Sequence, residues 1–262
     1  MKFIAIIPSR YQSTRFPGKP LAMIGDRPMI QRVYERVEGT VGETYVATDD
    51  ERIAACVSGF GGKVVMTRGD HQSGTDRLRE AADKLLASRP DADQYVIINV
   101  QGDEPFIDPA QIEAVKGCFD SDDVELATLA RPFDRSKGFD ALADPNLVKV
   151  VISDRMEAIY FSRSVIPYVR GEEEKDWTSK TDFFTHIGIY AYRYPALRRI
   201  TELKRSPLEI AESLEQLRWL QSGLKIKVAV SDLPTIGIDT PADLEAAIKF
   251  AKNVFDPKSN QA

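Results

Sequence analysis

The sequence predicts an α/β protein in which helices flank a mostly parallel sheet, with a smaller antiparallel lobe attached. Short β-rich apolar segments alternate with amphipathic helical segments through the first half of the chain. One of them, Tyr95–Val100, is apolar apart from Asn99, as expected of a strand buried on both faces. After about residue 125, strand-like segments follow one another with short turns between them, which indicates antiparallel pairing.

The first half has a β-α-β-α order. The predicted strands are Phe3–Ile7, Thr44–Ala47, Lys63–Met66 and Tyr95–Val100. The predicted helices are Arg27–Val37, Glu51–Ser58, Thr75–Ala87 and Pro109–Phe119. In the first helix, apolar residues recur every three or four positions, which places them on one face. Such alternation is typical of a parallel sheet covered by helices.

The second half is predicted to start with a smaller lobe and to return to the core. Its predicted strands are Glu125–Arg131, Val148–Ser153, Ala158–Phe161, His186–Tyr192 and Lys225–Val230, with one helix at Leu208–Leu220. A last helix begins at Thr240-Pro-Ala-Asp243, where Thr is the N-cap and Pro the first helical residue. We expect one domain over 1–253, with a core of about 1–125 and 200–253, a lobe of about 126–199 and a frayed tail at 254–262.

Composition excludes several classes of protein. The 262 residues include 35 Lys plus Arg and 40 Asp plus Glu, a net charge of −5, which argues against binding a polyanion or an anionic membrane over the whole surface. Two cysteines and two histidines are too few for a disulfide scaffold, a cysteine-rich zinc site or most histidine metal sites. The N-terminal apolar run is too short for a signal peptide, and none reaches about 18 residues. We therefore expect a cytoplasmic protein with no nucleic-acid or membrane partner.

The loop after the first strand is a candidate phosphate site. It contains three basic side chains and three hydroxyls beside Gly18, namely Arg10, Arg15 and Lys19 with Ser9, Ser13 and Thr14. Fixed charge, donors and a flexible backbone at the carboxyl end of a parallel strand suit a triphosphate. Pro20 follows Lys19, so this is not a GxxxxGK[ST] loop, and GxGxxG is absent too. A solvated basic loop is the alternative interpretation.

Other candidates have both a functional and a structural interpretation. Asp103 and Asp239 each follow an apolar segment and suit Mg²⁺, although either could be a turn or cap residue. The turn Ser73-Gly-Thr-Asp-Arg77 could recognise a base or ribose, or simply cap a helix. His186 could pack within its strand, and Arg163 could be an ordinary surface residue.

An ordered series of motifs runs along the chain. The first is Ile7-Pro-Ser-Arg-Tyr-Gln-Ser-Thr-Arg-Phe-Pro-Gly-Lys-Pro-Leu21. The others are Ala47-Thr-Asp-Asp50, Ser73-Gly-Thr-Asp-Arg77, Asn99-Val-Gln-Gly-Asp-Glu-Pro105, Tyr160-Phe-Ser-Arg-Ser-Val-Ile-Pro167, His186-Ile-Gly-Ile-Tyr190, Leu214-Glu-Gln-Leu-Arg218 and Asp239-Thr-Pro241. Together, over about residues 3–250, they resemble the sugar-nucleotide cytidylyltransferases, and among them those that activate 3-deoxy-D-manno-octulosonate (Kdo). The resemblance implies a Rossmann-like, glycosyltransferase-A-like nucleotidyltransferase fold whose core binds the nucleotide.

The resemblance also implies roles for individual residues. The CTP-binding set is Ser9, Arg10, Ser13, Lys19, Ser73, Gly74, Arg77 and Gln101. The catalytic set is Arg10, Lys19, Asp103 and Asp239, and the two aspartates would be the Mg²⁺ ligands. The sugar-binding set is Arg163, His186, Tyr190, Glu215 and Gln216. Position 76 is Asp where many members have Glu, which leaves the contacts of that acid open.

The implied reaction is nucleotidyl transfer, in which the Kdo anomeric hydroxyl attacks the α-phosphorus of CTP and pyrophosphate leaves in line. The same reaction on 8-amino-Kdo or a sialic acid is an alternative substrate assignment. A nucleotide-dependent oxidoreductase and a non-catalytic sugar or nucleotide sensor are alternatives from other classes. The family and the antiparallel middle segment also indicate a homodimer.

Overall fold

The computed structural model describes residues 1–12, 16–238 and 240–255. The strands in this part of the chain are β1 (Lys2–Ser9), β2 (Met23–Ile24), β3 (Arg27–Pro28), β4 (Thr44–Thr48), β5 (Val64–Met66), β6 (Tyr95–Asn99), β7 (Leu126–Pro132), β8 (Lys149–Ile152), β9 (Ala158–Ser162), β10 (Phe184–Arg193) and β11 (Lys227–Val230). The nine strands predicted from the sequence are confirmed as β1 and β4–β11, although β11 starts two residues later than expected.

The α-helices in the same residues are α1 (Met29–Val41), α2 (Glu51–Gly59), α3 (Gly74–Leu86), α4 (Pro109–Gly117), α5 (Gly138–Leu142), α6 (Trp177–Lys180), α7 (Tyr194–Thr201), α8 (Pro207–Glu212), α9 (Gln216–Gln221) and α10 (Pro241–Phe255). Short 3-10 turns occur at Lys19–Leu21, Ala92–Gln94, Cys118–Asp120, Arg135–Lys137 and Glu174–Asp176. In this part of the chain, no helix is both long and apolar enough to span a membrane.

The chain divides into two compact units, Met1–Ile112 with Pro234–Ala262, and Glu113–Leu233. The prediction of a single domain over 1–253 with a lobe at 126–199 stays a prediction. Of the predicted tail, residues 254 and 255 belong to α10, and 256–262 lie outside the described residues.

The first unit contains a parallel sheet in the order β6-β1-β4-β5. The side chains of Ile4 to Ile7 are fully buried, and both α1 and α3 contact β1. The parallel arrangement predicted from the β-α alternation is therefore confirmed. The returning segment adds Ile238, Ala247 and Ala251 to an apolar cluster with Ile24 and Phe106.

The second unit is mainly antiparallel. Strand β10 pairs antiparallel with β7 and β8, and β8 pairs antiparallel with β9. Strand β11 pairs parallel with β7, so this unit is mixed. The register of β10 against β7 shifts between Ile187 and Tyr190. Such an irregularity changes the direction of nearby side chains, and it lies beside His186 and Tyr190, two of the predicted sugar-binding residues.

The single helix predicted at Leu208–Leu220 is wrong. Two helices, α8 and α9, replace it, because Ser213 adopts a left-handed conformation with φ of 52°. The carbonyl of Glu212 accepts a hydrogen bond from Arg163 Nε at 2.6 Å, which supports a helix end there. Helices α5, α6 and α7 and the hairpin of β2 with β3 were not predicted. Each is short and lacks a long periodic pattern.

Candidate active site

The first part of the site is the carboxyl end of β1. Ser9 is buried, and its Oγ has no hydrogen-bond partner among the described residues. The next residue, Arg10, donates from Nη2 to the carbonyls of His71 and Ser73, each at 3.0 Å. These contacts tie the predicted phosphate-binding arginine to the segment that precedes α3. Ser13 of the CTP-binding set lies outside the described residues, as do Thr14 and Arg15.

Lys19 and Asp103, 84 residues apart in sequence, form an ion pair. The Lys19 Nζ lies 2.6 Å from Asp103 Oδ2, with side-chain exposures of 14% and 32%. Gly102 allows this approach of the loop after β6 to the end of β1, because a Cβ at Gly102 would lie 2.8 Å from Ser9 Oγ. The structure therefore brings Ser9, Lys19 and Asp103 together with the half-buried Gln101 of the same loop.

The Ser73–Arg77 turn is a helix N-terminus with a complete capping box. Ser73 Oγ accepts from the Asp76 backbone N–H, and the Asp76 carboxylate accepts from the Ser73 N–H, both at 3.1 Å. The capping interpretation is confirmed, and the aspartate at position 76 is long enough to close the box. Gly74 at N1 has only Pro8 Cγ near the position of a Cβ, at 4.0 Å.

Arg77 is fully buried. It pairs with Asp49 at 2.9 Å and donates to Thr67 Oγ1 at 2.6 Å, while Nε and Nη2 have no hydrogen-bond partner among the described residues. Burial lowers the pKa of this guanidinium. These contacts join α3 to the segments after β4 and β5, and the nucleotide contact of Arg77 stays a prediction.

Glu104 is a residue that the sequence analysis did not select. Its Oε2 is buried without a hydrogen-bond partner among the described residues. Burial, assisted by the neighbouring Asp103 charge, raises the pKa of the Glu104 carboxyl to about 8. The Glu104 carboxyl is therefore mainly neutral at pH 7. The sequence offered one signal, the position of Glu104 directly after Asp103. It could not show that the carboxyl is buried, because burial depends on the tertiary structure.

This raised pKa predicts a pH-dependent stability. Between 4.5, the ordinary value, and about 8, the folded state holds a proton that the unfolded state has lost. The free energy of unfolding should therefore fall as pH rises through this window, by at most about 1.4 kcal/mol per pH unit, and the fall should stop above pH 8. Glu104→Gln should remove that part of the slope in urea unfolding series without Mg²⁺. Glu113→Gln, which alters an exposed carboxylate, should follow the wild type. Parallel curves for wild type and Glu104→Gln would contradict the assignment.

Asp103 is suited to a divalent cation. Mg²⁺ takes one or two protein carboxylates and completes its shell with water and phosphate oxygens, and Asp103 is a partly exposed carboxylate. Asp239 lies outside the described residues, but its neighbour Ile238 donates its backbone N–H to the Asp103 carbonyl at 3.0 Å. Within the described ranges, no group of three or more His, Cys, Asp or Glu could hold a metal by itself.

In the second unit, Arg163 is a structural anchor. Its Nε donates to the Glu212 carbonyl, its Nη1 donates to the Pro145 carbonyl at 2.9 Å, and its backbone N–H donates to the Glu212 carboxylate at 2.8 Å. The guanidinium thereby fixes the end of α8. A role in binding the sugar carboxylate stays a prediction.

His186 and Tyr190 lie together around the register shift of β10. Their ring centroids are 5.2 Å apart, and Thr128 Oγ1 lies 3.0 Å from His186 Nε2. Burial lowers the pKa of His186 to about 3, so the ring is neutral. The Thr128 hydroxyl donates to the Ile189 carbonyl at 2.7 Å, so this geometry assigns the ring proton to Nε2, leaving Nδ1 as an acceptor.

Tyr190 adds a second buried polar group to the same region. Its hydroxyl has no hydrogen-bond partner among the described residues, and its ring packs edge-on against Trp219 at 5.3 Å. Burial raises the pKa of Tyr190 well above its usual value, so the hydroxyl keeps its proton. Thr128 and Trp219 were not selected from the sequence, because neither lies within one of the motifs that carry the family resemblance.

Glu215 and Gln216 begin α9 and are supported by a buried ion pair. Gln216 is buried, and Glu215 is its N-cap residue. Arg218 donates from Nε and Nη2 to both oxygens of Glu209, at 2.8 and 2.7 Å. This bidentate pair, which the sequence analysis missed, holds α8 and α9 against each other.

Comparison with known proteins identifies the family. Residues 4–226 match the family model described as Cytidylyltransferase. The chain belongs to the cytidylyltransferase family. A relative from Bacteroides thetaiotaomicron named 3-deoxy-manno-octulosonate cytidylyltransferase is 55% identical over 253 residues, which cover 97% of this chain and 99% of the relative. A relative of the same name from Phocaeicola vulgatus is 54% identical over 252 residues, covering 96% of this chain and 98% of the relative.

A solved structure resembles this cytidylyltransferase as a whole. It is that of CMP:2-keto-3-deoxy-manno-octonic acid synthetase complexed with CTP, with 43% identity and a TM-score of 0.86. The match covers 97% of this chain and 100% of the other. The family resemblance and the nucleotidyltransferase fold inferred from the motifs are confirmed, and the cytidylyltransferase is a nucleotidyltransferase enzyme. The individual CTP, sugar and metal contacts stay predictions.

Proposed function

We propose that this cytidylyltransferase transfers CMP from CTP to the anomeric hydroxyl of Kdo, releasing pyrophosphate, in the biosynthesis of lipopolysaccharide. The observation that carries the proposal is the near-full-length identity of 55% to a 3-deoxy-manno-octulosonate cytidylyltransferase. The related solved structure complexed with CTP supports the choice of nucleotide.

On the nucleotide side, the chain supplies positive charge and position. Arg10 and Lys19 neutralise the triphosphate, with backbone and side-chain donors from Ser9, Ser13, Ser73 and Gly74 around it. The bond from the sugar oxygen to the α-phosphorus forms as the bond from that phosphorus to pyrophosphate breaks. Holding two anionic substrates in line accounts for most of the catalysis expected.

Mg²⁺ is proposed as the cofactor. Asp103 and Asp239 would hold it, and when bound it supplies charge neutralisation for the phosphate oxygens. The partial exposure of the Asp103 carboxylate supports this assignment, because it leaves the carboxylate accessible to a hydrated cation. The backbone hydrogen bond from Ile238 to Asp103 supports the second ligand, since Asp239 is the next residue in the chain.

On the sugar side, a charged group would bind the carboxylate and neutral groups would bind the hydroxyls. Arg163 would bind the Kdo carboxylate, while His186 through Nδ1 and Tyr190 through its hydroxyl would bind sugar hydroxyl groups. Glu215 and Gln216, at the start of α9, would contribute further polar contacts. The neutrality of His186 supports a hydrogen-bonding role and does not support a role as a cationic partner of the carboxylate.

The decisive experiment is pyrophosphate release from CTP, Mg²⁺ and one sugar acid at a time. We expect release with Kdo to exceed release with sialic acid by about 10³-fold in kcat/KM, because a mismatched sugar loses several positioned polar contacts. Preference for 8-amino-Kdo would assign the alternative substrate. No pyrophosphate with any of the three would favour a sensor and contradict the proposed activity.

We also propose a cytoplasmic homodimer. Ile159 of β9, a strand that pairs with β8, is 58% exposed. Cys56 and Cys118 are both free thiols, which suits a reducing cytoplasm. An apolar side chain on an edge strand is suited to pairing with a second copy. Light scattering should give twice the chain mass of 29.3 kDa, and a value at the chain mass would exclude the dimer.

A further inference from the structure

We propose that Glu80 and Asp76 of α3 are positioning residues for Arg10, and through Arg10 set the affinity for the CTP triphosphate. The proposal rests on the nucleotide-binding role of Arg10 in the proposed function. Both acids act through the segment that joins β5 to α3, and neither is assigned a contact with a reacting atom.

The starting observation is the double hydrogen bond made by one nitrogen of Arg10. Its Nη2 donates to the carbonyls of His71 and Ser73, both at 3.0 Å. Two of the five N–H donors of a guanidinium are used in this way, and two acceptors on one nitrogen fix the plane of the group. The orientation of Arg10 therefore depends on where these two carbonyls lie.

The carbonyl of His71 is held in place by Glu80. The Glu80 carboxylate accepts from the Arg68 backbone N–H at 3.2 Å and hydrogen-bonds the buried His71 ring at Nε2. Lys84 pairs with the same carboxylate at 2.8 Å. Burial alone would raise the pKa of Glu80, but the hydrogen bonds from Lys84, Arg68 and His71 outweigh it and lower the pKa to about 2. Glu80 is therefore ionised throughout the working pH range.

The carbonyl of Ser73 is held in place by Asp76. The capping box fixes Ser73 through both its backbone N–H and its hydroxyl. The Arg77 backbone N–H also points to the Ser73 carbonyl, at 3.4 Å. Asp76 and Glu80 are four residues apart and so lie on one face of α3. Two acids on one helix face thus anchor both ends of the segment that orients Arg10.

A guanidinium that is fixed before the nucleotide arrives loses less conformational freedom on binding. If Glu80 is removed, the segment from Arg68 to His71 loses its anchor and Arg10 must be ordered by the substrate itself. The cost should appear as weaker CTP binding, with little change in the turnover of bound substrate.

The test is a coupling measurement on the full-length enzyme with Mg²⁺. We expect Glu80→Ala to raise the Kd and KM for CTP about tenfold and to change kcat less than about twofold. The reason is that the charge-assisted contact of Arg10 with the triphosphate is weakened equally in the bound state and in the transition state. Glu80→Gln, which keeps an acceptor for the Arg68 N–H, should recover most of this loss. Asp83→Asn, which alters an ion pair with Arg79 on the same helix, is the matched control and should bind CTP as the wild type does.

The double variant decides between positioning and general destabilisation. In an Arg10→Ala background, Glu80→Ala should weaken CTP binding no further, because its effect passes through Arg10. Asp76→Ala, which also loosens Ser73 and Gly74, should lose most of its effect in the Arg10→Ala background and gives a second route to the answer if Glu80→Ala folds poorly. Additive losses in the double variants, or wild-type CTP affinity in both single variants, would overturn the inference.

Failure of the inference and failure of the proposed function give different results. If Arg10→Ala weakens CTP binding but the acid variants do not, only the positioning role is lost. If Arg10→Ala itself binds CTP normally, both the phosphate-binding role of Arg10 in the proposed function and the inference that depends on it are contradicted.

Discussion

Asp103→Asn is expected to lower kcat for CMP transfer by about 10²–10³-fold, the loss usual for one charged group that stabilises a transition state. Asparagine keeps the size of the side chain but lacks the negative charge that would bind Mg²⁺ and that pairs with Lys19. The fold should survive, because Asp103 is partly exposed and such ion pairs contribute at most about 1 kcal/mol to stability. Thermal unfolding and circular dichroism should therefore match the wild type, while the rate of pyrophosphate release collapses.

The metal dependence of CTP binding makes this experiment specific. In the wild type, Mg²⁺ should tighten CTP binding, and in Asp103→Asn this gain should largely vanish. Without Mg²⁺, the variant should bind CTP at least as well as the wild type, because Lys19 is released from its carboxylate partner and one negative charge is gone. Asp93→Asn, at an exposed aspartate of the same unit, is the control. A kcat within about threefold of wild type at saturating Mg²⁺ would remove Asp103 from the catalytic groups.

The parallel sheet could be predicted because its signals are local. The strand Tyr95–Asn99 begins with four consecutive apolar residues, and the caps at Ser73 and Thr240 use side chains within three residues of the helix start. Each of these features is fixed by neighbours in the sequence. Prediction of the corresponding elements therefore needed no knowledge of the tertiary structure.

The features that were missed depend on distant residues. The break between α8 and α9 coincides with a hydrogen bond from Arg163, which is 49 residues from Glu212 and leaves no trace in the helical period. The raised pKa of Glu104 follows from burial, and the neutrality of His186 follows from burial within the second unit. Tertiary burial and contacts determine such properties, so the sequence could propose His186 as a site residue but could not give its protonation state or its hydrogen bonds.

The site itself was partly predictable for a geometric reason. Lys19 and Asp103 are 84 residues apart, yet both follow strands whose carboxyl ends lie at one edge of a parallel sheet. Because β1 and β6 pair in parallel, the loops that follow them lie at the same edge of the sheet. The role of α3 in holding Arg10 was not predictable in this way, because it depends on two backbone carbonyls that carry no sequence signature.

Arg163→Ala is expected to raise the half-saturating concentration of Kdo by about 10²-fold while leaving that of CTP within about threefold. A bidentate arginine–carboxylate contact contributes a loss of this size when it is removed from a site. The structure adds a second consequence, because the same guanidinium holds the carbonyls of Glu212 and Pro145. The variant should therefore also unfold at a lower temperature than the wild type.

Arg163→Lys separates the two consequences. Lysine keeps the charge but not the planar fork, so it should recover less than about a tenth of the lost Kdo affinity. Arg135→Ala, which removes an exposed arginine paired with Asp182 in the same unit, should leave both substrate curves and the unfolding temperature unchanged. A larger shift for CTP than for Kdo in Arg163→Ala would contradict the sugar assignment. In that case the anchoring of α8 would be the whole function of this arginine, since its hydrogen bonds to carbonyls already account for its position.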